Sequence, residues 1–507
     1  MRSTSLLVLF FFFSVPVPGQ QASSKQIRKL ADRHFVEGIE TLRTFLEIPN
    51  SGGDPEQIEA NLEWCRTVFT SLDFETKVLI SDGVKHLLAE RVFGKRLHTM
   101  LFYLQIDGQP VDSSRWNQES PFIPTLKDCG DDDCLTIDWH QLADYDPDWK
   151  VFARSASDSK GPAVALIQAL RALHEIGQKP AFNLKIIMDF QEELGSPTLP
   201  KLVEENRTQF EAEAMLIMDG TRPPGNLPTL MFGARGIATM KLTVFGARRN
   251  LHSGQYGNYA PNPVFGLSRL LAAMKDENGQ VLIPGYYDGV VMDEETRKIV
   301  NSVPEGRETL LRNLGISVPE QPGSTYQESL QYPSLNVRGL RAGWVENEVR
   351  TIIPSEALAE IDMRLVPETP AERQIQLMTD FIRSKGYHII DHDPTDEERA
   401  QYSKLIRIDY RVGSRPFRTP LESELGNWLG EAMTHVFGQG NFISMQSTGG
   451  SQPIAPFITT LGIPAISVRI PNPDNSIHAP NENLRLGNFH EGLMMCLAIL
   501  TQDYDGE

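Results

Sequence analysis

The sequence has little cysteine, no basic excess and, after its N-terminus, no long apolar run. Its net charge is −18 over 507 residues, and nucleic acids and anionic membranes select basic surfaces, so neither is an expected partner. No run beyond the N-terminus approaches the roughly 20 apolar residues of a membrane-spanning helix. The content of 40% apolar and 22% charged residues is that of a soluble globular protein. The chain is too long for one ordinary core, so two domains are expected.

The N-terminus differs from the rest of the chain. Arg2 is followed by the apolar run 6–13, and prolines and Gly19 then lead into a polar stretch. A basic start, a short apolar run and a small-residue exit are typical of a secretory signal. We therefore predict a signal peptide over 1–20 and an exported chain, secreted or periplasmic, with no membrane contact once the signal is removed. A buried N-terminal strand or a short membrane anchor is the alternative interpretation.

The four cysteines fall into two groups. Cys65 and Cys496 lie in helical, apolar patterns and are expected to be small core residues. Cys129 and Cys134 flank a short acidic run, and in an exported protein they could close a small disulfide loop. A zinc site at this pair is the alternative, but no second cysteine pair or histidine cluster completes it.

Strand-like apolar runs alternate with helical patterns in the outer parts of the chain. Residues 24–75 show helical periodicity, and 162–173 read as a helix with Pro162 in its opening turn. The strand-like runs are 99–104, 182–188, 214–218 and 464–470. This alternation predicts an α/β fold in which a mostly parallel sheet carries helices on both faces.

The middle region, 236–416, has a different pattern of strands and helices from the outer parts, and it is predicted to be an inserted α+β domain. It contains two patterned strands and a helix, at 239–244, 357–365 and 263–274. The other domain is then built from 21–235 and 417–507. Residues 113–149 are rich in Asp, Trp and Pro without a clean period, and we predict a long loop near the site.

Acidic residues and a histidine stand where a two-metal hydrolase would need them. They lie in the stretches 105–110 (QIDGQP), 157–162 (SDSKGP), 192–196 (EELGS) and 477–482 (IHAPNE), and at Asp219. Most follow strand-like runs, and ligands of parallel sheets lie beyond the carboxyl ends of the strands. Two metals about 3.5–4 Å apart need a bridging carboxylate, terminal ligands and a free carboxylate that takes a proton from water.

Two of these stretches suit particular roles by their local setting. Asp158 suits the bridge because it stands just before a helix, whose amides and dipole favour the ionised carboxylate; it could instead be only a helix N-cap. Glu192 and Glu193 are adjacent and point different ways, so one can bind a metal while the other stays free as a base. Outside this context the two glutamates would be an ordinary surface pair.

Together these motifs resemble the carnosinase, aminoacylase and carboxypeptidase-G group of di-zinc metallopeptidases. The similarity runs in order over nearly the whole mature chain and is strongest to the carnosinase-like dipeptidase branch. Further motifs that carry it are 251–254 (LHSG), 284–288 (PGYYD) and 364–367 (RLVP). The resemblance implies a metal-dependent hydrolase of dipeptides or similar small peptides, with two divalent ions, Zn²⁺ or alternatively Mn²⁺. It also implies a homodimer in which 236–416 is the lid and dimerisation domain.

The resemblance implies a set of metal ligands. They are Gln105, Asp158, Glu193, Asp219 and His478. Asp158 would bridge the ions, with Glu193 and His478 completing one site and Asp219 and position 105 the other.

The resemblance also implies catalytic and substrate-binding residues. Glu192 would be the general base and later the acid. His252, from the inserted domain, would stabilise the oxyanion, and in dimeric relatives this histidine can come from the partner subunit. Arg364 would hold the substrate carboxylate, which a guanidinium matches bidentately. Thr351 and Ser451 would be further substrate-facing groups.

Gln105 departs from the family pattern, which has histidine there and uses Asp107 to orient it. The amide oxygen of Gln105 could face a metal while its NH₂ donates to Asp107. The second site would then be all oxygen and suit Mn²⁺ or Mg²⁺ better than Zn²⁺. Two alternatives to a dipeptidase stay open: an N-acyl amino acid deacylase using the same site, and a catalytically impaired relative that binds peptides.

Overall fold

The structure is a computed structural model that describes residues 21–504 except 131, 132 and 305. The predicted signal peptide, 1–20, and most of the acidic run 131–133 lie outside the described residues. In the part of the chain that is described, no helix combines the length and the apolar character needed to cross a bilayer.

Helices and strands alternate along the outer parts of the chain and frame a strand-rich middle. The α-helices of the described residues are α1 Ser24–Leu46, α2 Pro55–Ser71, α3 Lys160–Glu175, α4 Leu199–Glu205, α5 Ser253–Tyr256, α6 Pro263–Met274, α7 Glu294–Val300, α8 Arg307–Leu314, α9 Tyr326–Ser329, α10 Ala371–Ser384, α11 Asp396–Gln401, α12 Glu424–Phe437, α13 Ala455–Leu461 and α14 Leu486–Thr501. The strands are β1 Glu75–Ser81, β2 Val84–Arg91, β3 Thr99–Gln105, β4 Thr125–Cys129, β5 Cys134–Thr136, β6 Lys150–Phe152, β7 Asn183–Asp189, β8 Ala214–Ile217, β9 Thr229–Met231, β10 Gly233–Ala234, β11 Gly236–Phe245, β12 Leu251–His252, β13 Ser334–Arg341, β14 Ile352–Ile353, β15 Glu356–Leu365, β16 His388–Ile390, β17 Leu405–Val412, β18 Phe417–Arg418, β19 Ile443–Met445, β20 Ala465–Arg469 and β21 Asn483–Arg485.

An eight-stranded sheet with strand order β1-β2-β7-β3-β8-β20-β9-β19 carries the site. Its four central strands, β7, β3, β8 and β20, run parallel to one another. Antiparallel pairing occurs between β1 and β2, between β2 and β7, and between β20 and β9. The carboxyl ends of the four central strands therefore meet at one edge of the sheet, where parallel sheets place their ligands.

Helices cover both faces of this sheet, because alternate residues of its strands are apolar on each side. On β3, Phe102 packs in a core that includes residues of α1, α3 and α14. Leu101 and Tyr103 point the other way, into a core that includes residues of α4 and α13. The predicted α/β fold with helices on both faces is confirmed. The predicted helix at 162–173 is α3, which begins two residues earlier, at Lys160.

A second sheet, of order β13-β15-β11-β17-β16, lies in the middle of the chain. The long strand β11 pairs antiparallel with both β15 and β17. Buried residues alternate along β15, and the helices α6 and α10 pack on this sheet around a separate hydrophobic core. The sequence pattern predicts both long strands and α6 correctly.

Residues 113–149 do not form the predicted long loop, because they contribute strands to a small antiparallel sheet of order β21-β6-β4-β5. β4 and β5 pair as a hairpin, and a disulfide bond joins Cys129 to Cys134 across it. The strands β4, β5 and β6 have only five, three and three residues, too few to show a period in the sequence. Cys65 and Cys496 are free and buried, as expected.

Candidate metal centre

The predicted metal-site residues follow the parallel strands or precede α3. Gln105 ends β3, Glu192 and Glu193 form a short 3₁₀ turn after β7, and Asp219 follows β8. His478 lies between β20 and β21. A cleft of about 570 Å³ opens at this edge; among its lining residues are Gln105, Asp158, Glu192, Glu193, Asp219, Ser451 and His478. The sheet topology thus brings together residues that are up to 373 positions apart in the sequence (105 to 478).

Asp158, Glu193 and His478 form the closest group in the cleft. Nε2 of His478 lies 3.1 Å from Oδ2 of Asp158 and 3.2 Å from Oε2 of Glu193. Each residue offers one ligand atom, and these atoms all lie within 4.8 Å of one another. Two carboxylates and an imidazole are ligands that zinc and manganese accept. The donor set therefore fits one divalent cation.

Asp219 lies beside this group. The hydroxyl oxygen of Ser159 lies 2.7 Å from Oδ1 of Asp219 and 3.1 Å from Oδ1 of Asp158, so its single hydrogen is shared between the two carboxylates. The other oxygen of Asp219 accepts from Nε2 of Gln452 at 2.9 Å. Burial and the neighbouring Asp158 carboxylate raise the pKa of Asp219 above its ordinary value. A cation near these two carboxylates would relieve their repulsion.

Gln105 is buried at the end of β3, and the expected hydrogen bond to Asp107 is not formed. Its Nε2 is a buried donor that has no acceptor among the residues described. The two oxygens of Asp107 instead accept from the backbone N–H groups of Glu192 at 2.9 Å and Glu193 at 3.1 Å. Asp107 therefore holds the turn that carries the two glutamates, and this part of the prediction was wrong.

Glu192 has the electrostatic setting of a proton acceptor. Burial raises the pKa of its carboxyl well above the usual range, and repulsion from Asp219, Asp158, Glu193 and Asp107 adds to this effect. A carboxylate made more basic in this way can take a proton from water and release it again. The side chain of Glu193, in contrast, accepts from Nε2 of Gln109 at 2.6 Å and faces His478.

The predicted substrate-binding residues, and His252 as the predicted oxyanion-stabilising residue, divide between the cleft and the surface. Ser451 lines the cleft, and its hydroxyl accepts from Nη1 of Arg364 at 2.8 Å. His252 and Thr351 are exposed and do not line the cleft formed by the described part of their own chain. Nδ1 of His252 accepts from the backbone N–H of Gly254 at 3.1 Å. One chain alone therefore does not bring His252 to the metal ligands.

Sequence reasoning missed Ser159, Gln109 and Gln452, which donate to the carboxylates of the site. Ser159 lies in the stretch 157–162 and Gln109 in the stretch 105–110. Their position beside predicted metal ligands is the sequence feature that could have indicated their role. Gln452 comes from a distant segment next to Ser451, and its contact with Asp219 depends on the fold alone.

Comparison with known proteins identifies the family of the chain. The model of peptidase family M20/M25/M40 matches residues 101–502. The Cys-Gly metallodipeptidase of Schizosaccharomyces pombe is 26% identical over 78% of this chain and 78% of its own length. The human Beta-Ala-His dipeptidase is 26% identical over 82% of this chain and 77% of its own length.

A solved structure shares the fold. The M20 family metallo-carboxypeptidase Sso-CP2 of Sulfolobus solfataricus superimposes with a TM-score of 0.74 at 24% identity, covering 92% of this chain and 99% of the other. The family resemblance seen in the sequence is confirmed. The chain belongs to peptidase family M20/M25/M40 and is a metal-dependent hydrolase.

Proposed function

We propose that the protein is a dipeptidase, which hydrolyses the amide bond of a dipeptide or a similarly small peptide. The observation that carries the proposal is the convergence of Asp158, Glu193 and His478 within 4.8 Å, with the carboxyl of Glu192 beside them in the same cleft. Both relatives named above are dipeptidases, one of Cys-Gly and one of Beta-Ala-His. Their names support a small peptide as the substrate.

Different residues of the chain are proposed to bind the cation, transfer the proton and position the base. Asp158, Glu193 and His478 would hold a divalent cation, which would supply Lewis-acid activation of a water molecule and of the substrate carbonyl. Glu192 takes a proton from the attacking water and passes it to the leaving amine. Asp107 accepts from the backbone N–H of Glu192, and so fixes the turn from which that carboxylate acts.

Arg364 is proposed to bind the carboxylate of the substrate. It reaches the wall of the cleft from β15 through its hydrogen bond to Ser451. A guanidinium binds a carboxylate in a bidentate geometry. Recognition of a free carboxylate near the reacting amide selects the last amide bond of a peptide, which is the only amide bond of a dipeptide.

We propose two cation positions of unequal strength. The first has Asp158, Glu193 and His478, and its nitrogen ligand suits zinc. The second has oxygen ligands from Asp158, Asp219 and Gln105, which suit Mn²⁺. Both oxygens of Asp219 already accept hydrogen bonds, and an amide is a weaker ligand than imidazole. The second ion is therefore bound more weakly.

We propose that the protein is a homodimer in which region 236–416 acts as the lid and dimerisation domain. His252 is exposed outside the cleft of its own chain, which leaves its side chain free to contact another subunit. In the proposed dimer it would enter the cleft of the partner subunit. The same region exposes large apolar side chains, as interaction surfaces do. Among them are Tyr259, Phe265, Leu340, Val345, Val349 and Tyr410.

We propose that the mature chain is exported after removal of 1–20. The basic, apolar and small-residue pattern of that segment supports this proposal. The disulfide bond between Cys129 and Cys134 supports it as well, because disulfides persist in oxidising compartments.

Replacement of the proposed base tests the reaction directly. Glu192→Gln is expected to lower kcat for dipeptide hydrolysis by about 10²–10⁴-fold, because the neutral amide does not accept a proton from water. The metal content should stay that of the wild type, since Glu192 is not a proposed ligand. Steady-state kinetics and elemental analysis of the purified variant measure both quantities.

The matched control for this change is Glu204→Gln, an exposed position on α4, which should keep full activity. A panel of dipeptides, tripeptides and N-acyl amino acids, with Glu192→Gln as the blank, identifies the substrate class. Wild-type kcat in Glu192→Gln would remove the assignment of the base, and turnover of N-acyl amino acids alone would replace the dipeptidase proposal.

The metal content after dialysis tests the unequal cation positions. Wild-type protein dialysed against a weak chelator is expected to retain about one ion per chain, and Gln105→His about two, because imidazole strengthens the second donor set. Gln376→His, at an exposed position of α10, is the control and should retain the wild-type number. Two firmly held ions in the wild type would contradict the proposal.

Mixed dimers test whether His252 acts across the dimer. Dimers purified by two different tags, with Glu192→Gln in one chain and His252→Ala in the other, are expected to regain roughly half the wild-type activity, because one of the two symmetric sites is complete. Mixed dimers of Glu192→Gln and Asp158→Asn should stay inactive, since both changes fall in each chain's own cleft. No recovery in the first pair would show that His252 serves its own chain, and an active His252→Ala homodimer would show that His252 has no role.

The state of His478 predicts a proton release on metal binding. Its hydrogen bonds to Asp158 and Glu193 raise the pKa of His478 to about 10, so the metal-free imidazole is protonated near neutral pH. A cation replaces that proton at Nε2, and metal affinity must therefore rise as pH rises. Titration calorimetry of Zn²⁺ binding in buffers of different ionisation enthalpy should show release of about one proton or more per ion.

His490→Gln, which changes a histidine that contacts Asp32 on α1, is the control for this titration and should leave the proton count unchanged. A heat of binding that is the same in all buffers would mean that His478 is already neutral in the metal-free protein.

A further inference from the structure

Glu482 is a buried carboxylate whose hydrogen bonds all go to the segment that carries Asp158. It stands four residues after His478 and is 0% exposed. Its Oε1 accepts from the backbone N–H groups of Ser157 at 2.9 Å and Asp158 at 2.8 Å, and its Oε2 accepts from that of Ser155 at 2.8 Å. One side chain therefore fixes three amides around a proposed metal ligand.

Arg154 completes this arrangement. It is 4% exposed, and its Nη1 donates to Oε2 of Glu482 at 2.7 Å, while its Nη2 donates to the carbonyl of Ala479 at 3.3 Å. The hydroxyl of Ser157 donates to the carbonyl of Asn483 at 2.6 Å. The segments 154–158 and 479–483 are thus joined by several bonds, and Glu482 makes most of them.

Burial of Glu482 near Asp158 is a costly way to join two segments. Two desolvated carboxylates repel each other, and apolar residues of similar volume often stabilise a fold as well as buried charges do. The carboxylate does, however, offer two acceptor oxygens to several N–H donors at once, which no apolar or amide side chain matches. The arrangement therefore favours fixed geometry over stability.

We propose that Glu482 is a positioning residue of the metal centre, which holds the backbone of Asp158 in register with the segment of His478 so that both ligands meet one cation. Glu482 does not contact the cation itself. Partners of metal ligands act in this way in other proteins, and their loss weakens metal binding. The proposal rests on the metal centre of the proposed function.

The test is the affinity of the full-length protein for Zn²⁺ in Glu482→Gln. Glutamine has nearly the same volume, but both oxygens of Glu482 accept from N–H groups. In either orientation, the NH₂ of the glutamine would therefore face an N–H donor instead of an acceptor. We expect the dissociation constant of the first ion to rise by about 10–100-fold, measured by competition with a chromophoric chelator. The Tm of the metal-free protein is recorded in parallel, to separate loss of the fold from loss of ligand geometry.

Glu368→Gln is the matched control. Glu368 accepts from Nη1 and Nη2 of Arg418 at 2.8 and 3.3 Å and does not line the cleft. This variant loses a carboxylate–arginine pair as well, so it should lower the Tm without changing the affinity for Zn²⁺. Should Glu482→Gln not fold, Arg154→Gln removes one donor and leaves three, and it should weaken Zn²⁺ binding by a smaller factor.

The outcomes separate the two proposals. Weakened Zn²⁺ binding in the Glu482 or Arg154 variant, with wild-type binding in Glu368→Gln, supports the positioning role. Unchanged Zn²⁺ binding in the Glu482 variant, or in the Arg154 variant used in its place, overturns that role alone. A wild-type chain that binds no divalent ion would overturn the metal centre and the positioning role with it.

Discussion

Repulsion among buried carboxylates is the constraint on which the site depends. Asp107, Asp158, Glu192 and Asp219 meet at one edge of the main sheet. Burial raises the pKa values of Asp107, Glu192 and Asp219, and repulsion from neighbouring carboxylates, which for Asp107 are Asp189 and Glu193, adds to this effect. Such an arrangement is unfavourable unless positive charge or N–H donors compensate it. His478 supplies one such charge, and a divalent cation would supply the rest. The charge of the cleft therefore favours a cation, whatever peptide the cleft also binds.

Two carboxylates that are not proposed as ligands set the positions of those that are. Asp107 accepts the backbone N–H groups of the turn that carries Glu192 and Glu193. Glu482 does the same for the segment that carries Asp158. In both cases the two oxygens of one buried carboxylate accept from backbone N–H groups that lie outside the strands and the α-helices. This shared device explains how loops hold a metal geometry.

The predictable part of the structure is the part that repeats a local pattern. Apolar runs located the parallel strands, and acids at their ends located the site, because parallel strands have only one carboxyl edge. The hairpin of β4 and β5 was missed, since its strands are too short to show a period. The predicted hydrogen bond between Gln105 and Asp107 is not formed, and the oxygens of Asp107 accept from backbone N–H groups instead. His252 lies on the surface and outside the cleft of its own chain. Whether it reaches the cleft of a partner subunit depends on how two chains pack, which the sequence of one chain does not reveal.

Gln105 changes the balance of the site without removing its centre. The imidazole of His478 remains the nitrogen ligand, and it lies with Asp158 and Glu193 in the group that fits a cation. Glu192, the proposed base, is carried on the turn next to this group, and Asp107 accepts the backbone N–H of this residue. The absence of a second imidazole would therefore weaken the binding of a cation beside Asp158 and Asp219, whose oxygens already have protein donors. With this donor set the chain would keep the ligands that lie beside Glu192 and would bind a second cation more weakly.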